Sequence, residues 1–291
     1  MSDHSQVGPR SGPPGRLTVT SVSNERAKFM MRLSNPSFRR RTGCSLVEGV
    51  RLIGEALNSG ADFVTAAYDG AAARSRPVRE LVGRLERRGV EVWETSRGIL
   101  RAVALTETPQ GVVAAIRVRS STESDVIEVA AGKVRESGDA MVALMDGVQD
   151  PGNAGTIVRS ADAFGAACVV FAGPSADPYN PKVLRASMGS VFHVTCVSVG
   201  DASSVLVALR DAGFRVFYGD PRSPREVYRE RLTGPIVLAV GNETAGVSEA
   251  VRHHGTGVCV PIRHGKAESL NAAMAFTAMA YEARRQRVFA L

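Results

Sequence analysis

Three glycine-bearing segments carry the side chains of this sequence that are best suited to chemistry. They are DPGNAGTIVRSADAFG (150–165), VLAVGNETAG (237–246) and VPIRHGKAESLNAAMA (260–275). Each stands at the end of an apolar, strand-like run. Open α/β sheets bind their ligands outside the carboxyl ends of the strands. The three segments therefore predict one ligand site that is assembled from distant parts of the chain.

Five polar side chains of these segments are the candidates for chemistry, namely two amides, a hydroxyl, a carboxylate and a guanidinium: Asn153, Asn271, Ser269, Glu243 and Arg159. A guanidinium stays protonated in proteins, so Arg159 is not a simple base. It can instead orient an anionic group and stabilise negative charge that develops during a reaction. Glycines at 241, 246 and 265 would let the backbone approach a ligand closely.

The common nucleotide and metal motifs are absent from the sequence. Gly255-Thr256-Gly257 lacks the third glycine of GxGxxG, because Val260 occupies that place, and it precedes a strand instead of following one. No GxxxxGK[ST] is present. The four cysteines, at 44, 168, 196 and 259, form no CxxC pair and no Cys/His cluster with zinc spacing. We therefore predict no metal site, and buried thiols for Cys168, Cys196 and Cys259.

Length and composition indicate a two-domain globular protein. The chain has 291 residues and is 44% hydrophobic, which is enough for well-buried cores. No apolar run approaches the roughly 20 residues of a membrane span, and the N-terminus lacks the apolar core of a secretory signal. We expect a cytoplasmic protein without membrane contact. The net charge of +7 favours a polyanionic partner, although a GC-rich genome would also enrich arginine.

Strand and helix patterns divide the chain into four parts. Residues 1–17 read as a disordered tail, 18–118 as a first α/β unit, 119–139 as a linker with at most a short helix, and 140–291 as a second α/β unit. The first unit opens with an amphipathic helix, a basic loop and a second helix that ends at Gly60. The last helix of the chain is expected to begin after Ser269, a residue type that caps helices well.

The three segments resemble the signature motifs of the TrmH/SpoU family of RNA methyltransferases, within the SPOUT superfamily. The matching positions are Asn153, Gly155, Arg159, Ala161, Ala163, Phe164 and Gly165, then Gly241, Glu243 and Gly246, then Pro261, Gly265, Ser269, Leu270 and Asn271. The resemblance implies a parallel sheet with a deep trefoil knot that binds S-adenosylmethionine. It implies cofactor contacts at Gly241, Gly246, Val260, Ile262 and Leu270.

The reaction that the resemblance implies is methyl transfer from S-adenosylmethionine to a ribose 2′-hydroxyl. Arg159 matches the family's catalytic arginine, and Asn153 would hold either Arg159 or the RNA backbone. Ser269 and Asn271 would line the methyl-transfer site. Two structural alternatives stay open, since Ser269 could serve only as a helix cap and Glu243 only as a partner of loop amides. The loop from Pro261 to Ser269 is one residue longer than the family's spacing, which predicts a bulge at His264.

The first unit looks like the RNA-binding domain that precedes the catalytic domain in many members of this family. The residues that carry this resemblance are Asn24, Lys28, Arg39, Arg40, Arg41, Glu48, Gly49 and the segment 108–112. Arginines beside a glycine can lie along phosphates, and we expect Lys28 and the three arginines to bind RNA. A solvated basic loop is the alternative.

The last helix carries an apolar stripe at Leu270, Ala273, Met274, Thr277 and Tyr281. Such stripes usually pack into a core. The family resemblance implies in addition that this helix joins a dimer interface, so we expect a homodimer. The two-domain arrangement favours 23S rRNA as the substrate. Two alternatives are a tRNA substrate and a catalytically silent RNA-binding assembly factor.

Overall fold

A mixed sheet forms the N-terminal unit. A computed structural model describes residues 17–263 and 269–289. The strands of this first sheet are β1 (Leu17–Val19), β2 (Cys44–Glu48), β3 (Phe63–Asp69), β4 (Val92–Thr95) and β5 (Val112–Arg117). They lie in the order β1-β4-β3-β5-β2. Only β5 runs antiparallel to its neighbours, so the other four strands end at the same edge of the sheet.

The apolar runs of the C-terminal unit form a second sheet in which every strand is parallel to its neighbours. Its strands are β6 (Ala140–Asp146), β7 (Cys168–Ala172), β8 (Thr195–Val199), β9 (Arg215–Gly219), β10 (Pro235–Gly241) and β11 (Thr256–Val258). The order is β11-β9-β10-β6-β7-β8. Helices cover both faces, which explains why the central strands are apolar throughout. The predicted α/β class with a parallel C-terminal sheet is confirmed.

Helices connect the strands of both sheets. They are α1 (Glu25–Arg32), α2 (Pro36–Thr42), α3 (Val50–Asn58), α4 (Arg76–Arg87), α5 (Arg97–Val103), α6 (Glu123–Ser137), α7 (Pro151–Ala163), α8 (Pro181–Ala186), α9 (Ser203–Asp211), α10 (Glu249–His254) and α11 (Ala272–Val288). None of the helices in the described ranges is long and apolar enough to cross a membrane. The same ranges hold no cluster of His, Cys, Asp and Glu that could bind a metal ion.

Two expectations about the N-terminal half differ from the structure. The basic segment expected as a loop is the helix α2, because the Asn35 side chain caps its N-terminus and Pro36 occupies its first turn. The predicted linker is mostly the 15-residue helix α6, which a capping box at Thr122 starts. Val126 and Ala130 of α6 are fully buried in a cluster with the second sheet. Only a few small apolar residues of this polar segment are buried, so the sequence did not indicate that the helix packs on the sheet.

The two units pack against each other through a shared apolar cluster and a few polar contacts. Buried residues of both sheets belong to one hydrophobic cluster. The Ser45 hydroxyl donates to the backbone carbonyl of Tyr179 at 2.6 Å. The N-terminal unit therefore lies against the loop that follows β7, on the same side as the start of α7.

The cysteine prediction holds for two of its three residues. Cys168 and Cys196 are free and buried, and burial raises the pKa of the Cys168 thiol to about 12. Cys259 is only partly buried, because β11 ends one residue earlier at Val258. Cys44 is free and buried as well. The buried thiols are therefore packing residues of the sheets.

Candidate active site

The first motif starts the helix α7 directly outside the carboxyl end of β6. The Asp150 carboxylate accepts a hydrogen bond from the Asn153 backbone N–H at 2.7 Å, which caps the helix. Pro151 takes the first helical position, where its missing N–H costs nothing. This cap fixes Asn153 in the first turn of α7, at the edge of the parallel sheet.

The Asn153 side chain joins all three motifs. Its amide nitrogen Nδ2 donates to Glu243 Oε1 at 2.5 Å, and its oxygen Oδ1 accepts from Asn271 Nδ2 at 3.0 Å. A carboxylate can only accept hydrogen bonds, so the Asn153 nitrogen must face Glu243. That orientation leaves the oxygen for Asn271. The site predicted from three separate segments is thus a single hydrogen-bonded junction.

Asn271 caps the last helix, so the expectation that Ser269 does so is wrong. The Asn271 oxygen accepts from the backbone N–H groups of Ala273 and Met274 at 3.0 and 3.3 Å. Ser269 lies two residues before this cap and is exposed. Because the Asn271 oxygen is occupied by the helix, its nitrogen points to Asn153. The cap therefore orients the third motif as well as starting α11.

Glu243 is not the residue that satisfies the loop amides of the second motif. Asn242 does this: its Oδ1 accepts from the N–H groups of Thr244 and Ala245, at 2.9 and 3.1 Å. Its Nδ2 donates to the carbonyl of Gly147, in the first motif's loop. Sequence reasoning missed Asn242, although an asparagine followed by two polar residues is a known turn signal. Glu243 is left to face Asn153.

Gly241 ends β10 where another part of the chain passes very close. A Cβ at this position would lie 2.2 Å from the carbonyl carbon of Gly246 and 2.4 Å from the Val247 nitrogen. Any side chain would therefore displace the second motif's loop. The end of β10 thus presents bare backbone. Val260 and Ile262, which follow β11, are partly buried. Leu270 is 39% exposed. Bare backbone and apolar side chains suit the flat, polar-edged adenosyl part of S-adenosylmethionine, so these residues fit the cofactor.

Arg159 lies two turns along α7 and is exposed. Six residues separate it from Asn153, which places the two side chains about 120° apart around the helix. The expected bond between them is not formed, since the Asn153 amide faces Glu243 and Asn271. Within 17–263 and 269–289, no hydrogen bond or ion pair involves Arg159. Its guanidinium is therefore free for a substrate. His264 and Gly265 lie outside the described residues.

The three arginines expected to bind RNA have different environments in the structure. Arg39 is only 5% exposed. It donates to the carbonyls of Leu33 and Ser34 and pairs with Asp177 of the C-terminal unit at 3.3 Å. A buried arginine with these partners holds structure, so its assignment to RNA binding is wrong. Arg40 and Arg41 are exposed.

An aromatic ring among these cations is a feature that sequence reasoning missed. The Arg32 and Arg41 guanidinium carbons lie 4.2 and 5.1 Å from the centroid of the Phe38 ring. Lys28, also expected to bind RNA, pairs with Glu25 at 2.8 Å on the surface. Exposed pairs of this kind are weak and exchange easily. The surface of α1 and α2 therefore presents cations next to an aromatic side chain.

The Glu48-Gly49 pair has a local role. The Glu48 carboxylate accepts from the backbone N–H of Leu105 at 3.0 Å and from the Thr106 hydroxyl. It therefore holds the loop that leads to the segment 108–112. The structure thus explains these residues of the N-terminal resemblance by loop packing.

The apolar stripe of α11 divides between core and surface. Ala273 is buried, and the Thr277 hydroxyl bonds the Ser160 hydroxyl of α7 at 2.7 Å. Leu270, Met274 and Tyr281 are 39%, 50% and 57% exposed. Helix α11 therefore packs on α7 with one side and leaves large apolar side chains on another.

Comparisons with known proteins show the family of this chain. A model described as the SpoU rRNA Methylase family matches residues 140–281, and a model described as the MRM3-like substrate binding domain matches residues 24–114. A relative from Streptomyces viridochromogenes, named 23S rRNA (uridine(2479)-2′-O)-methyltransferase, is 35% identical over 94% of each chain. The chain belongs to the SpoU rRNA methylase family.

A further relative and a solved structure are similar to this chain over nearly their whole length. The 23S rRNA (guanosine(2553)-2′-O)-methyltransferase RlmP of Bacillus subtilis is 32% identical, over 91% of this chain and 98% of that one. The solved structure of the SpoU methyltransferase AviRb from Streptomyces viridochromogenes, in complex with AdoMet, is 36% identical with a TM-score of 0.78. The match covers 91% of this chain and 99% of the AviRb chain.

Proposed function

We propose that this protein transfers a methyl group from S-adenosylmethionine to a ribose 2′-hydroxyl of 23S rRNA. The relatives named above support the reaction class and the rRNA substrate. The observation that carries the proposal in this chain is the junction of Asn153, Glu243 and Asn271. It joins the three motifs at the start of α7, the helix that carries the exposed Arg159.

S-adenosylmethionine supplies a methyl group on a positively charged sulfur. In the overall reaction the carbon–sulfur bond breaks, its electron pair stays on sulfur, and the 2′-oxygen bonds the methyl carbon. The 2′-hydroxyl proton leaves to an RNA phosphate or to water. Arg159 cannot take this proton, because a guanidinium stays charged. It orients the ribose or a neighbouring phosphate and stabilises the negative charge that develops on the 2′-oxygen.

The junction positions the RNA next to this arginine. Helices α7 and α11 both begin at the junction, and the N-terminus of a helix favours negative charge. This field stabilises the Glu243 carboxylate that holds the Asn153 amide. Glu243 fixes the Asn153 amide, and Ser269 lines the entrance as a hydroxyl that can contact the substrate.

The cofactor is held at the ends of β10 and β11. Gly241 and Gly246 supply backbone groups, and Val260, Ile262 and Leu270 supply apolar contacts to the adenosyl part. The knot characteristic of the superfamily stays a prediction for this chain.

The N-terminal unit binds the RNA through Lys28, Arg40 and Arg41, to which the structure adds Arg32 and Phe38. Arginine next to an aromatic ring suits single-stranded RNA, whose bases can stack on both. We place the unit boundaries at residues 18–118 and 140–291. Of the predicted tail, residues 1–16 lie outside the described residues, and Leu17 begins β1. A substrate in the ribosome implies a cytoplasmic protein.

A homodimer completes the proposal. Met274, Tyr281 and Val288 lie seven residues apart on α11 and are each at least half exposed. Two such faces can cover each other. Light scattering at micromolar concentration should give twice the chain mass, and Met274→Glu with Tyr281→Glu should give a monomer. A monomeric wild type would contradict this part of the proposal.

The first experiment combines purified protein, radiolabelled S-adenosylmethionine and separate unmodified rRNA and tRNA pools, followed by digestion to nucleosides. Label in a 2′-O-methylnucleoside from rRNA is the expected result. Label from tRNA alone would move the substrate to tRNA. No label and no cofactor binding would favour the assembly-factor alternative, which the retained Arg159 and Asn153 argue against.

A further inference from the structure

A second concave site lies at the boundary between the two units. The cavity has a volume of about 300 Å³, at the lower end of the range for ligand pockets. Its lining includes Arg117, Val118, Arg119, Tyr179, Val191 and Phe192. None of these residues belongs to the segments 150–165, 237–246 or 260–275, so the cavity is separate from the candidate active site.

The floor of this boundary cavity is apolar and aromatic. Tyr179 and Val191 are only 9% and 4% exposed, whereas Phe192 is partly exposed. Burial raises the pKa of Tyr179 to about 12, so its ring carries no charge at neutral pH. An aromatic ring that is partly open to solvent offers a surface for stacking.

Two arginines stand at the mouth, and neither is firmly held. The Arg117 Nε lies 3.2 Å from Asp62 Oδ2, with the two side chains 62% and 68% exposed. Exposed ion pairs of this kind contribute little stability. Arg119 is exposed and donates to the Ser59 carbonyl across a long 3.4 Å. Both guanidiniums can therefore turn towards a phosphate at small cost.

The rim also carries negative groups, which disfavours an isolated anion. Asp62 is a carboxylate, and Ser59 and Gly60 follow the C-terminus of α3, the negative end of that helix. Such acceptors instead suit the N–H groups on the edge of a nucleobase. Stacking surface, edge acceptors and phosphate-binding arginines together match an unpaired nucleotide.

We propose that the boundary cavity binds one unpaired nucleotide of the substrate RNA, other than the nucleotide that is methylated. The base lies against Phe192, and the flanking phosphates contact Arg117 and Arg119. This proposal rests on the proposed function, since it takes the RNA as the substrate. Because Val118 and Arg119 are where the chain leaves the first sheet, an occupant touches both units and selects RNA that reaches both.

Photocrosslinking tests the proposal directly. Full-length protein is mixed with a large-subunit rRNA transcript that contains 4-thiouridine, irradiated and digested, and the crosslinked peptides are identified by mass spectrometry. We expect crosslinks in the peptide that carries Phe192 or in the one that carries Arg119. Crosslinking needs no turnover, so it tests the cavity even where the transcript is not methylated.

Three variants and a control test its contribution. Phe192→Leu removes the ring, Arg119→Gln removes a charge, and Ala61→Leu enlarges a side chain that also lines the cavity. Stacking of one base is worth about 1–3 kcal/mol, so Phe192→Leu should raise the KM for RNA roughly 5- to 150-fold. Cofactor affinity and kcat should stay at the wild-type values. Arg88→Gln, at the end of α4, removes an exposed arginine elsewhere and should change nothing.

The outcomes separate the two proposals. A wild-type protein that methylates no RNA would refute the proposed function. A different result would overturn only the nucleotide site. In that result the wild type methylates rRNA, no crosslink forms in the cavity, and Ala61→Leu and Phe192→Leu have the same KM for RNA as Arg88→Gln. Thermal melting of Phe192→Leu checks whether this variant is folded. If Phe192→Leu is unfolded, the KM of Ala61→Leu tests the nucleotide site instead.

Discussion

Strand-end carboxylates are used differently in the two sheets. In the N-terminal sheet, Glu48 holds the loop at residues 105–106 and Glu94 accepts from the Tyr68 hydroxyl of the neighbouring strand. In the C-terminal sheet, Asp146 is buried and accepts from the Ser248 N–H at 2.5 Å, in the segment that follows the second motif. Glu48 and Glu94 hold a loop and a neighbouring strand of the N-terminal unit, whereas Asp146 ties the end of β6 to the chain beside the candidate active site.

This difference teaches where each unit can meet RNA. In the N-terminal unit, the cations of α1 and α2 that we propose bind RNA lie outside the sheet. At the C-terminal edge the helices α7 and α11 both begin, and the side chains of Asn153, Glu243 and Asn271 meet there. Similar sheet geometry thus gives one edge that supports a fold and another that supports a reaction.

The largest expected effect is at Arg159. Arg159→Ala removes the cation that we propose stabilises the developing negative charge, and it should lower kcat by about 10²–10³-fold. Cofactor affinity, measured by calorimetry, should stay at the wild-type value, because Arg159 is not among the residues proposed to hold the cofactor. Substantial turnover by this variant would mean that a residue other than Arg159 stabilises the developing charge.

The junction comes next. Asn153→Asp places a carboxylate against Glu243 and should lower kcat on the order of 10–100-fold, since small displacements of a catalytic group are costly. Glu48→Gln is the matched change at the N-terminal edge and should leave kcat unchanged. Equal losses in the two variants would break the contrast between the edges.

Two glycine-to-alanine variants should change the free energy of unfolding in opposite directions, because one glycine ends a strand and the other lies inside a helix. Gly241→Ala forces a Cβ against the backbone of Gly246 and should cost about 1–3 kcal/mol of unfolding free energy. Gly54→Ala, inside α3 with open space around it, should stabilise by about 0.5–1 kcal/mol. Urea denaturation measures both, and a neutral Gly241→Ala would contradict the close approach.

The smallest expected effect concerns the basic surface. Arg40→Gln with Arg41→Gln removes two phosphate contacts, so the slope of log K against log salt concentration should flatten by about 1.4–1.8. Arg87→Gln with Arg88→Gln, on α4, removes the same charge and should leave the slope unchanged. Equal slopes in the two double variants would show that charge alone, and not the surface of α1 and α2, attracts RNA.

Much of this architecture could be predicted from the sequence because it depends on local patterns. Apolar, strand-like runs indicated where the three motifs stand, and the three motifs named every residue of the junction. Helix α2 was missed because Asn35-Pro36 caps a helix too short and too basic to show apolar spacing. Asn271 was passed over as a cap in favour of Ser269, since both residue types cap helices and only the chain path chooses between them.

The sequence by itself determined the class of the protein, through the order and spacing of Asn153, Glu243 and Asn271. Only the tertiary structure decided how the side chains are used: Arg39 is buried beside Asp177 while Arg40 and Arg41 stay exposed. Adjacent residues on a helix point in different directions, and what each one meets depends on parts of the chain that are distant in sequence. The boundary cavity has the same origin, because its walls come from both units.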